Sequence, residues 1–473
     1  MLSKVVFKNV LYNSSSMLIL NLSGLIIVVF LARVLKPELF GLYSLSISII
    51  TVAMVFADLG INNAATRYVA DAVSKNNFRL ASGYVSFLTN FKVALSVFLS
   101  ILLFLLSDTI SSAFNKPISL LIKLLSIYLV FNALTTLFLA IANAMNDFKV
   151  NLLNYTVSGF SKIVFTFSLV LVGLSVIGAI FAIVLSAILG FFYALYYTTK
   201  KYPFLFSEKE KIEFNRVLKF VAFTAVISIS WVLFANVDLV MIGYFLTAED
   251  VAYYRAGFSI ISAIAGFISI PSVLLPVFVK LEGEDLSRAF SRAFKFSSAL
   301  CIPSALGLIL ISSNLLFLAY GEEYLPGLLA MQILSLLLIS PVFGIYGSFF
   351  SGKEKPELNF YPLTFSTLLN VVLNYFMIPR FGIVGASMAT VISNVILWLF
   401  LALICSKEFG IKPKISYITK PLFSALLMFL VAFNFGSMIL ILPISILVYS
   451  AVLFLIKGIT KEDLEFIKKI GSS

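Results

Sequence analysis

The residues of this chain best placed to do chemistry are two lysines. Lys92 and Lys162 each lie about eleven residues inside an apolar stretch, roughly 16 Å from its start at 1.5 Å per helical residue. A lysine stem cannot snorkel that far. An ionisable group at the centre of a membrane helix costs about 2.5 to 3.5 kcal/mol, so each needs a partner, water or a ligand. Their neighbours are polar at helical spacing. Asn154, Ser158, Lys162 and Thr166 recur every fourth residue with Ser161 beside them, and Thr89, Lys92, Ser96 and Ser100 follow the three-and-four spacing of one face. No carboxylate of the first half is expected at this depth, so an anionic group such as a phosphate is the ligand that suits both ammonium groups. The alternative is that both lysines hydrate a water-filled vestibule or reach helix carbonyls.

Ser366, Asn370 and Asn374 form a similar but uncharged stripe in the second half. Amides and hydroxyls both donate and accept, which suits sugar hydroxyls, although bonding between helices is their commoner use. Asp238 and Arg255 lie near the ends of successive stretches across the short 246–252 loop, where they pair as an outer gate or static bridge; alternatively Asp238 binds Na+ or H+ and couples transport to an ion gradient. Asp58 and Arg67 are placed to form a comparable latch at the opposite face. The chain has no histidine, which excludes imidazole metal ligands, proton relays and Ser-His triads. Cys301 and Cys405 are expected to be free apolar thiols. No cofactor or metal is implied.

These residues must be positioned by membrane helices. Hydrophobic residues make up 61% of the 473 and charged ones 12%, with a mean hydropathy of 1.06, whereas soluble domains are about 25% charged. A hydrocarbon core of about 30 Å takes roughly 20 helical residues to cross. Spans are predicted at 14–34, 40–60, 81–106, 118–142, 151–173, 176–198, 216–245, 252–279, 292–312, 324–350, 358–378, 383–405, 416–435 and 438–457. The first is read as a retained span, because no small-residue cleavage site follows it. Most of the 34 lysines and arginines fall in the two tails and alternate loops, so the formal charge of +12 is a topology signal that places both termini in the cytoplasm and needs no nucleic-acid partner.

Leu35, Glu38, Tyr43, Ser48 and Ile49 recur as Leu246, Glu249, Tyr254, Ser259 and Ile260 at an offset of 211. Gly178, Ala179, Ala182, Val184 and Ser186 recur as Gly385, Ala386, Ala389, Val391 and Ser393 at an offset of 207. A six-helix repeat is even, so both copies insert with the same orientation. The expected fold is an all-α integral membrane protein with an N-terminal six-helix bundle at 1–200 and a cytoplasmic linker at 201–215. A second bundle follows at 216–405, with two further helices at 416–457.

The stretches VVFLARVLKPELFGLYSLSISI (28–49) and FADLGINNAATRYVA (56–70) resemble the opening of the oligosaccharide (O-antigen type) flippases of the multidrug/oligosaccharidyl-lipid/polysaccharide exporter superfamily. Asn146-Asp147-Phe148-Lys149, Asn236-Val237-Asp238, Tyr253-Tyr254 and Phe381-Gly382-Ile383-Val384-Gly385-Ala386 extend the resemblance along nearly the whole chain. The lipid II flippases of that superfamily carry an Arg-Asp pair in their first helix, where this chain reads Leu31-Ala32-Arg33-Val34, so that branch fits less well. The resemblance implies a transporter, not an enzyme, that moves a polyprenyl-(pyro)phosphate-linked oligosaccharide to the outer leaflet of the cytoplasmic membrane. A monomer embedded in the bilayer is expected. A multidrug/cation antiporter of the same superfamily is the runner-up, disfavoured by lysines that repel cations. A membrane glycan polymerase or glycosyltransferase would need larger loops with acidic or histidine groups.

Overall fold

The computed structural model describes residues 2–268, 278, 283–435, 438–460 and 463. Hydrocarbon offers no water to a backbone N–H or C=O, so long apolar segments become helices whose hydrogen bonds close internally. Among the described residues there is no strand. In chain order the helices are α1 (Leu2–Asp58), α2 (Ile61–Ser74), α3 (Phe78–Ala113), α4 (Ser119–Ala144), α5 (Lys149–Leu169), α6 (Ser175–Lys201), α7 (Phe214–Phe245), α8 (Ala248–Ile268), α9 (Gly283–Tyr320), α10 (Leu328–Leu334), α11 (Ser340–Gly352), α12 (Glu357–Phe409), α13 (Ser416–Ala432) and α14 (Met438–Leu455).

Three breaks interrupt longer helical runs. α1 turns at Lys36, whose φ of 63° precedes Pro37; proline lacks the helical N–H and drives the residue before it out of the α conformation. The π turn Val170–Leu174 separates α5 from α6 at Gly173, φ 99°, and α12 breaks at Gly382, φ 59°. Nine helical runs among the described residues are long and apolar enough to cross a membrane, and those at Ser15–Ser74, Lys149–Lys201 and Glu357–Phe409 each span 53 residues or more; two shorter apolar helices, α13 and α14, follow.

The distribution of polarity is that of a membrane protein. On α5, Val157, Phe160 and Val164 are exposed, Phe160 by 68%, while Asn154 and Thr166 on the opposite stripe are buried at 1% each. A helix this apolar outside and polar inside belongs in lipid.

The helices group into two compact units: Met1–Ala256 with Asn374–Ile383, and Gly257–Leu373 with Val384–Ser473. In the first, α5 and α4 pack on α6, α3 packs on α4, and α1 packs on both α5 and α7. In the second, α9 packs on α13, and α13 on α14. The core of the second unit is aromatic, with Phe290, Phe349 and Phe409 stacked edge to face at 4.9 to 5.4 Å. The first unit extends past the predicted linker at 201–215, because that segment is fastened to α3. Ser82 Oγ donates to the Ser207 carbonyl at 3.1 Å, and Asn77 Nδ2 to Glu210 Oε2 at 3.0 Å. A Cβ on Gly83 would lie 2.4 Å from the Glu210 carbonyl oxygen, so only glycine admits this approach.

Candidate functional site

The polar stripe of α5 forms one wall of a cavity of about 180 Å3 inside the first unit. Asn154, Ser158 and Lys162 come together there, as the four-residue spacing requires, and face Tyr128, Asn132, Thr135 and Thr136 of α4. Ser23 and Gly24 of α1 and Ser186 and Gly190 of α6 close the remaining sides. Several of these groups are committed to structure. Asn154 Nδ2 donates to the Gly190 carbonyl at 2.7 Å, Ser158 Oγ to the Asn154 carbonyl at 2.8 Å, and Asn132 Nδ2 to Tyr128 Oη at 2.8 Å. Lys162 is half-buried on this wall and has no hydrogen-bond or ion-pair partner among the described residues. The charge acting on it is that of Arg255, which has the same sign. An ammonium without a counter-charge beside a polar cavity has the electrostatics of an anion site.

Lys92 does not share this site. Its Nζ donates to Asp58 Oδ1 at 2.5 Å and to Asn62 Oδ1 at 2.7 Å, and its side chain is 0% exposed. The expectation of an uncompensated lysine therefore fails here. Its premise, that no carboxylate lies at this depth, took Asp58 to sit at the end of a span. α1 does end at Asp58, but the chain turns through Leu59 and Gly60, with φ of 43° and 80°, and resumes as α2. The 14 residues of α2 add roughly 21 Å of helix beyond Asp58 at 1.5 Å per residue, which moves the carboxylate inward. The Lys92 side chain also points back toward the N-terminus of α3, as helical side chains do.

The latch between Asp58 and Arg67 is corrected by the same arrangement. Asp58 is bound to Lys92, whereas the Arg67 guanidinium lies over the Phe220 ring, 4.7 Å from its centroid. Asp238 is buried at 5% exposure and accepts from Tyr254 Oη at 2.8 Å and from Asn374 Nδ2 at 2.6 Å. Asn374 is thus engaged with a carboxylate, and both it and Asn370 are fully buried. Lys116 donates to the carbonyls of Gly243 and Leu246 at 2.6 and 2.7 Å. It caps the C-terminus of α7, the helix that carries Asp238, where a cation complements the helix dipole. The α4 wall was also missed, although Tyr128, Asn132, Thr135 and Thr136 have the spacing of one helical face.

The sequence profile of the polysaccharide biosynthesis protein family matches residues 6–282, more than half of the chain. The chain belongs to this family. It is a multi-pass membrane protein of polysaccharide biosynthesis within the multidrug/oligosaccharidyl-lipid/polysaccharide exporter superfamily, as the resemblance of 28–49 and 56–70 implied. A Shigella flexneri protein named as a candidate O-antigen transporter is 25% identical over 403 residues, 81% of this chain and 94% of that one. The lipopolysaccharide biosynthesis protein WzxC of Escherichia coli is 26% identical over 385 residues, 77% of this chain and 72% of that one. Among solved structures, the lipid II flippase MurJ in an inward closed conformation superposes with a TM-score of 0.79 at 18% identity, covering 94% of this chain and 98% of that one. At that identity the likeness shows the fold.

Proposed function

We propose that this chain is a flippase that moves a polyprenyl-(pyro)phosphate-linked oligosaccharide from the cytoplasmic to the outer leaflet of the cytoplasmic membrane by alternating access. Its architecture is fourteen spans with both termini in the cytoplasm, each of the three broken runs crossing twice. Two six-helix bundles, 1–200 and 216–405, carry the transport cycle, and the 416–457 pair is added to the second. Relatives named for O-antigen transport and lipopolysaccharide biosynthesis support the substrate class.

The observation that carries this reading is Lys162, an ammonium in a polar cavity with no hydrogen-bond or ion-pair partner among the described residues. A volume of about 180 Å3 corresponds to about six waters at roughly 30 Å3 each. That has room for a phosphate head group and some water, and the reading assigns the glycan to the space beyond the cavity mouth and the polyprenyl chain to lipid. Moving one anionic charge across the membrane involves about 2.3 kcal/mol per 100 mV, which makes the membrane potential a driving force for export. Asp238, a buried carboxylate with two neutral donors among its partners, is either the ion-coupling group for Na+ or H+ or the partner of Arg255 at the outer gate. Asn154 and Ser158 line the head-group cavity, and Asn370 acts in packing. The cation-antiporter reading is disfavoured because the Lys162 ammonium repels organic cations.

The test is complementation of a glycan-export mutant together with leaflet-resolved transport in liposomes. Wild-type protein moves the lipid-linked glycan outward and Lys162→Gln does not. A wild type that moves no polyprenyl-linked glycan but exports organic cations would return the protein to the antiporter class.

A further inference from the structure

The anion cavity leaves the Lys92 cluster without a role. Three elements build this cluster: the last residue of α1, the first turn of α2 and the middle of α3. Their junction is rigid. Gly60 takes a φ of 80° and packs so closely on α7 that an added Cβ would lie 2.1 Å from Thr224 Oγ1.

We propose that Asp58 and Asn62 form a monovalent-cation site whose resident cation is the ammonium of Lys92. Nitrogen-to-oxygen distances of 2.5 and 2.7 Å place the ammonium where an alkali cation would sit between the same two oxygens. Hard cations take oxygen ligands of this kind, carboxylate and amide carbonyl together. Further oxygens are at hand. The second carboxylate oxygen of Asp58 has no hydrogen bond among the described residues, and the Asp58 side chain is 24% exposed. Thr89, one turn before Lys92 on the same helix, has a buried hydroxyl without a partner. With the amine tethered in place this site takes no metal ion, and its charge stays constant whatever the sodium concentration. Removing the amine exposes a cation site. The inference does not depend on the identity of the transported lipid.

The experiment measures thermal unfolding of the purified protein in NaCl, KCl and choline chloride at equal ionic strength, with each variant read as its difference from wild type. A ligand that binds only the folded state raises its melting temperature in a saturable way. Lys92→Ala is expected to gain a saturable upward shift in NaCl, smaller in KCl and absent in choline chloride. Lys92→Arg, which keeps a tethered cation, gains none, and the Lys92→Ala, Asp58→Asn double variant loses the gain. Equal melting of Lys92→Ala in all three salts, or a sodium response that survives Asp58→Asn, would overturn the proposal. If Lys92→Ala is too unstable to melt, its folded yield on extraction in NaCl against KCl gives the same reading. Higher yield in NaCl supports the site, and equal yield refutes it.

Discussion

Lys92 and Lys162 are alike in sequence, each about eleven residues into an apolar stretch on a polar helix face, yet they have opposite surroundings. Lys92 is sealed at 0% exposure between Asp58 and Asn62. Lys162 stands half-buried at the wall of a cavity, with no hydrogen-bond or ion-pair partner among the described residues. Depth in an apolar stretch therefore does not by itself set a lysine's surroundings; the carboxylate that the fold brings to it does. The compensated ammonium joins α1, α2 and α3, and under the proposed function the uncompensated one holds the anionic head group.

The largest expected effect separates the two by phenotype. Lys162→Gln should lower glycan export by about 10- to 100-fold, the value of a charged hydrogen bond of about 1.5 to 3 kcal/mol, with normal abundance and melting temperature. Lys162→Arg should retain part of the activity. Lys92→Gln and Asp58→Asn should instead act on the fold, because breaking a buried pair and stranding its other charge costs about 3 to 5 kcal/mol. Exchanging the two, Lys92→Asp with Asp58→Lys, should recover part of that stability, as read by thermal unfolding in detergent. No such recovery would place Lys92 among the ligand-binding groups after all.

A smaller effect is expected at the α7–α8 turn. Lys116→Met removes the cation that caps α7 and should cost about 1 kcal/mol, loosening the turn between Asp238 and Arg255. Cysteine accessibility at Thr247 would report it as faster labelling. Asp238→Asn distinguishes the two roles of that carboxylate. If Asp238 pairs with Arg255, reversing both charges restores what either reversal loses; if it couples an ion, Asp238→Asn abolishes ion dependence while Arg255 is dispensable.

The smallest effect lies at the α4–α5 loop. Burial pushes the Asp147 carboxyl up, but hydrogen bonds from Lys201, Tyr197 and Tyr202 at 2.6 to 2.9 Å outweigh it and hold its pKa below the ordinary carboxylate value. A carboxyl more acidic in the folded state contributes its full stability above the unfolded pKa of about 3.9 and loses it as pH falls below that. Wild type should therefore lose stability on acidification below that value faster than Asp147→Asn, whose melting temperature should be lower at neutral pH.

Much of this was legible in the sequence. Apolar length marked the helices, Pro37, Gly173 and Gly382 stand at the breaks, and the four-residue spacing of Asn154, Ser158 and Lys162 placed them on one wall. The pairing of Lys92 was not legible, because it depends on the turn at Leu59 and Gly60 and on the continuation of α2, which carry Asp58 inward of the predicted span end. The unit boundary was hidden for a related reason. The segment 201–215 is polar enough to read as a linker, yet its backbone and side chains are fastened to the start of α3.

The central claim, that Lys162 holds the anionic head group, is tested most directly by binding of a polyprenyl phosphate to purified protein, measured by native mass spectrometry across a concentration series. The account predicts saturable binding to wild type, retained binding in the charge-exchanged Lys92→Asp, Asp58→Lys protein, and loss of binding in folded Lys162→Gln. Wild-type affinity in Lys162→Gln would contradict it.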